Sequence, residues 1–172
     1  MTYAEYDAAA LDTQVVIEAY VQAKQSWWEN QATVYAQDKD GAYYLYNMAC
    51  SEEDYAKLTT GTKIKVTGYK AEWSGEVEII DATFEIMDGN YVASATDVTS
   101  LLGTDELIKH QNEFVSFKGM TVEDAGSLNH HLGVQSGSIV LCIGHHAFGL
   151  LIRAPIAAAG QGQHQSQCQS CN

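Results

Sequence analysis

The sequence predicts an all-β protein: a five-stranded, partly open Greek-key barrel with one short helix, followed by the start of an incomplete second unit of the same kind. Three observations carry this. Apolar residues recur with period two through most of residues 14–90, Asp-Gly and Ser-Gly pairs punctuate the alternation, and one capped helical segment interrupts it midway.

The elements follow in order. In VVIEAYVQAK, Val15, Ile17, Ala19, Val21 and Ala23 alternate with Val16, Glu18, Tyr20, Gln22 and Lys24, so a long strand buries one face. ATVYAQDKDGAYYLYNMA is two strands around Asp38-Lys39-Asp40-Gly41, a hairpin with Asp-Gly at its tip. Ser51 stands where it would cap SEEDYAKL, whose first turn is acidic, so a short helix is expected there, ended by Thr60-Gly61. TKIKVTGYK then alternates Ile64, Val66 and Gly68 against Lys63, Lys65, Thr67 and Tyr69. GEVEIIDATFEI supplies two more short strands after the Ser74-Gly75 turn.

Long strand, hairpin, short helix and closing strands, in that order, match the OB-fold over residues 11–90, with residues 1–10 as a lead-in. The stretch LTTGTKIKVTGYKAEWSGEVEIIDATFEI, with Gly61, Gly68 and Gly75 among alternating apolar residues, resembles the distal half of the tandem OB units of bacterial extracytoplasmic lipoproteins of undefined function. The resemblance covers residues 11–90. It implies the fold and an extracytoplasmic or cell-surface location, and it names no ligand. MTYAEYDAAALDTQ has neither the basic nor the apolar region of a signal peptide, and no apolar run is long enough to span a bilayer.

Residues 91–123 are expected to be a linker plus the first helix (Asp105 to His110) and first strand (Phe114 to Val122) of a second OB-like unit. No counterpart of GTKIKVTG…GEVEII follows Glu123. Composition changes at the same point: residues 1–123 hold 8 of the 9 basic residues, 21 of the 22 acidic ones, and every Tyr and Trp. Residues 124–172 carry only Asp124 and Arg153 as charges, with five of the six His and three of the four Cys. Cys142-x-x-His145 and Cys168-x-x-Cys171 offer the four ligands of a structural zinc site, but the expectation is that the protein uses no cofactor. The apolar, then Gln-rich stretch between them has no zinc-knuckle pattern. The preferred expectation is a disordered or adventitiously docked tail, such as a shifted reading frame or a junction with unrelated sequence would leave.

For function, the OB surface of strands 2 and 3 is the place to look. With Tyr43 and Leu45 inward, Tyr44 and Tyr46 would face outward beside Lys63, Lys65 and Tyr69, with Trp27, Trp28 and Trp73 extending the platform from nearby loops. Exposed aromatics beside lysines would suit single-stranded nucleic acid. Against that, residues 11–90 hold 6 basic and 14 acidic residues and no Arg, which repels a phosphate backbone. A protein, peptide or glycan ligand is the expected partner, with nucleic acid the alternative. No nucleophile elbow, Walker loop or HExxH is present, so the expected module is not an enzyme.

Overall fold

The period-two pattern of the first strand translates directly into burial. In β1 (Gln14–Lys24), Val15, Ile17, Ala19 and Val21 are buried while the residues at 14, 16 and 18 are exposed. The computed structural model describes residues 1–123, with side chains through residue 120, and the backbone of 133–135, 138–142 and 151–153.

β1, β2 (Gln31–Gln37), β3 (Ala42–Ala49), β4 (Thr62–Trp73) and β5 (Glu76–Asn90) close into a barrel in the order β1-β2-β3-β5-β4. β1 pairs antiparallel with both β2 and β4, and β3 meets β5 in parallel at Leu45 and Ile79. This is the OB arrangement, and the expected fold is present. Inside, Ile17, Val34, Leu45, Met48, Ile64 and Ile79 are inaccessible to solvent. Each such side chain contributes about 1.5–3 kcal/mol relative to an exposed position. The helix α2 (Glu52–Lys57) lies between β3 and β4, and Ser51 Oγ accepts the Asp54 N–H as its N-cap.

Four points correct or sharpen the expectations. The two short strands expected in GEVEIIDATFEI are one strand, β5, which bends at Asp81 (φ 49°) without breaking its pairing to β4. Opposite the bend the β4–β5 register shifts between Thr67 and Tyr69. Gly68 is needed there, because a Cβ would stand 2.6 Å from Ile79 Cγ2 and 2.8 Å from the Ile80 carbonyl oxygen. Second, the β2–β3 hairpin has neither Asp40 nor Gly41 in the left-handed region. Asp38 holds that turn instead: its Oδ1 accepts the N–H of Asp40 and of Gly41, each at 2.8 Å, and Oδ2 accepts the Tyr43 hydroxyl.

Third, the lead-in folds onto the barrel. α1 (Tyr3–Ala8) starts in a capping box between Thr2 and Glu5 and sets Tyr3 and Tyr6 against Tyr43. Buried Lys70 of β4 donates from Nζ to the carbonyls of Tyr6, Asp7 and Ala9, tying down the C-terminal end of α1. Fourth, the strand expected from Phe114 to Val122 divides at Gly119 (φ 65°).

Its first part, β7 (Phe114–Lys118), pairs with β6 (Thr96–Asp97) and with β10 (Ser138–Cys142), which in turn pairs with β9 (Gly133–Gln135). Its second part, β8 (Thr121–Glu123), pairs with β11 (Leu151–Arg153). The stretch Asp105–His110 is a 3₁₀ helix. The expectation of a disordered or non-native tail from residue 124 onward lies, beyond these short strands, outside the described residues.

Residues 111–114 are fastened to the barrel by side chains. Gln111 Oε1 accepts the Val77 N–H at 3.0 Å, Asn112 Nδ2 donates to the Val77 carbonyl at 3.2 Å, and Gln37 Oε1 accepts the Phe114 N–H at 2.8 Å. Two amide side chains thus complete the β5 edge just before β3 reaches it.

Candidate functional site

The β2–β3 register puts Tyr35 directly opposite Tyr44 on the outer face of the barrel, with ring centroids 5.1 Å apart. Tyr46 continues the row, 6.2 Å from Tyr44. Alternation holds, so Tyr43 and Leu45 do face the core. Tyr44 is nevertheless only 2% exposed, and Tyr46 alone of the pair meets solvent, at 40%. The expectation that both present a stacking face is corrected accordingly. Burial raises the Tyr44 phenol above its ordinary pKa, and Tyr35, Glu76 and Glu78 add to the effect. Glu76 and Glu78 of β5 are themselves buried beside this row, and burial, then the neighbouring Glu76 charge, pushes Glu78 up.

The lysines stand elsewhere. β5 separates β3 from β4 in the barrel, so Lys63, Lys65 and Tyr69 line the β1–β4–β5 wall. Lys63 Nζ binds Glu18 at 2.7 Å, and this pairing holds the Lys63 pKa up and the Glu18 pKa down. Lys65 faces Glu18 on one side and Glu85 on the other. Tyr69 is 41% exposed on the same strand. The single platform anticipated from the sequence is therefore two separate surfaces, and on the second the cations already face carboxylates.

The tryptophans form a third arrangement. Trp28 and Gln31 exchange backbone hydrogen bonds around Glu29 (φ 48°) and Asn30 (φ 60°). Trp73 pairs with Glu76 around Ser74 (φ 54°) and Gly75 (φ 89°). Each tryptophan thus occupies the first position of a tight turn with two left-handed central residues, the pattern of a type I′ hairpin. Trp28 is 70% and Trp73 57% exposed. Trp27 is half-buried and does the anchoring: its indole N–H donates to the Cys50 carbonyl at 2.9 Å, and the Cys50 N–H donates to Asn30. Gln31 lies opposite Ala49 at the end of β3, whereas Ile79 of β5 lies opposite Leu45, so the two turns sit toward opposite ends of β3.

Of the four residues suggested for zinc, His145, Cys168 and Cys171 and the side chain of Cys142 lie outside the described residues. Among the described residues, no group of three or more His, Cys, Asp and Glu is placed to hold a metal ion, and no helix is long and apolar enough to cross a membrane.

Barrel and turns together define the class: an OB-type β-barrel that displays aromatic side chains from its loops. Comparison with protein-family models, with curated proteins and with solved structures gives no match to this chain.

Proposed function

We propose that this barrel is a non-enzymatic ligand-binding or interaction module for a protein, peptide or glycan, working without a cofactor. The observation that carries the proposal is the placing of Trp28 and Trp73, each on a tight turn whose central residues are left-handed. Non-glycine residues such as Glu29 and Ser74 resist that conformation, and strain of this kind persists where the surrounding structure holds it in place. A large aromatic on a rigid turn loses little conformational freedom when a partner covers it. The acidic balance of the chain, and the carboxylates facing Lys63 and Lys65, favour a ligand without a phosphate backbone. The likeness of residues 11–90 to tandem OB units of extracytoplasmic lipoproteins supports, as part of the same proposal, a place outside the cytoplasm.

The test immobilises the full chain and offers it neutral polysaccharides, a displayed random-peptide library and, at low salt, a thymidine oligonucleotide. Polysaccharide retention or peptide enrichment is expected, and Trp28→Ala with Trp73→Ala should abolish it. Binding by that double variant equal to the parent's removes the tryptophans from the site. Oligonucleotide retention that Tyr46→Ala abolishes moves the function to nucleic acid.

A further inference from the structure

We infer that the open edge of β5 beside α2 is a docking site for an extended, cationic peptide strand. One edge of β5 is paired with β4 along its whole length. The other edge meets β3 at Ile79 and the amide side chains of Gln111 and Asn112 at Val77. Beyond that, β3 ends and the chain turns into α2. Among the described residues no backbone group reaches this second edge over residues 83–87.

In a strand paired on one side, every second residue directs its N–H and C=O away from the partner. Such an edge is a ready template for another strand, and proteins blunt the edges they do not use with charged side chains, above all lysine, with proline, with short length or with a covering helix. The run Thr83-Phe84-Glu85-Ile86-Met87 has no lysine or proline, Glu85 is its one charge, and α2 stands beside it across a cleft without bonding its backbone. A cleft of about 420 Å³ runs beside it, lined by Ala49, Asp54, Lys57, Thr83, Phe84 and Ile86. That volume is within the roughly 300–1,000 Å³ range of ligand clefts. Half-buried Phe84 and the 42% exposed Ile86 offer apolar contact for alternate side chains of an incoming strand.

Charge selects the partner. Exposed Glu85 and Asp88 stand on this part of β5, and Glu53 and Asp54 on α2. Lys57, the base lining the cleft, is already bound to Glu53 at 3.0 Å and Asp54 at 2.9 Å. Lys65 of β4 stands opposite Glu85, and with both lysines counted the four carboxylates still leave a net negative rim for an incoming lysine or arginine. The inference rests on the barrel being a binding module, but it uses none of the tryptophan turns.

The probe is a fluorescent eight-residue peptide alternating valine and lysine, titrated into the full chain and compared with a valine–glutamate peptide and with a version N-methylated at alternate backbone amides. The lysine peptide should bind and slow hydrogen exchange within residues 83–87. The other two peptides, and a Glu85→Lys/Asp88→Lys protein, should each bind at least about tenfold more weakly. Equal binding of the N-methylated peptide, no binding, or protection elsewhere overturns the inference. So does a concentration-dependent dimer that protects the same amides, because the edge would then belong to a second copy. Polysaccharide or peptide retention through Trp28 and Trp73 that survives such a failure leaves the binding module standing and removes only this site.

Discussion

The ring of Tyr3 fills the space that a side chain at Gly41 would need. The same ring packs edge-on against Tyr43, 5.5 Å away, beside the Tyr6 ring, which lies 5.0 Å from Tyr43, so aromatic contacts lock α1 to the start of β3. Gly41→Ala is expected to cost about 1–3 kcal/mol in urea unfolding, as an overpacked core does. In the Tyr3→Ala background the same substitution should cost much less, since the clash is gone. Additive costs in the double variant would show that the glycine is needed for its backbone and not for this contact.

Glu78 sets a pH dependence whose sign follows from its raised pKa. The folded state holds the proton more tightly than the unfolded chain, so the carboxylate imposes no penalty below the ordinary glutamate value. The penalty grows as pH rises through that value and is complete above the folded one. Glu78→Gln should therefore raise the unfolding midpoint at neutral pH, with the gain shrinking toward zero near pH 4. Asp97 behaves oppositely: bonds to Lys118 and Thr99 hold it down at about 2, so its contribution is present near neutrality and fades as pH falls toward that value. A gain from Glu78→Gln that is equal at both pH values would contradict the assignment.

Gln111→Ala removes the acceptor of the Val77 N–H where residues 111–114 meet the barrel. The expected loss is about 1–2 kcal/mol. Its specific signature is faster hydrogen exchange at the Val77 amide, with the amides of β1 unchanged. Unaltered exchange at Val77 would mean that another group takes over.

The turn carrying Trp28 places Glu29 and Asn30 in the left-handed region, where asparagine and glycine are the favoured residues. Glu29→Asn with Asn30→Gly should stabilise the protein by about 0.5–1 kcal/mol while leaving Trp28 exposed. Thermal unfolding and tryptophan quenching check the two parts of that statement. A lower midpoint would show that the Glu29 side chain makes a contact worth more than the strain.

Much of the fold was legible because it rests on neighbours in sequence. The alternation of Val15 to Val21, the Ser51 cap and the Ser74-Gly75 turn each carry their own local signal, and each element stands where that signal puts it. Misplaced features depend on pairings between distant residues. The continuity of β5 past Asp81 needs β4 alongside it, and the burial of Tyr44 needs Tyr35 and the β5 carboxylates around it. The platform failed for the same reason, since nothing within AYYLYNMA or KIKVTGYK says that β5 will lie between them. Tyr35 and the open edge at residues 83–87 were missed. The register of the hairpin would have exposed the first, and the mismatch between a 15-residue β5 and an 8-residue β3 the second.

The three carbonyls gathered by Lys70 also set an order of events during synthesis. α1 leaves the ribosome well before β4, yet the ammonium group that secures it belongs to a residue more than 60 positions later. A six-residue helix has little stability by itself. Tyr3 and Tyr6 can meet Tyr43 once β3 has been made, but the carbonyl end of α1 stays unsecured until β4 has been translated, so this early segment settles late.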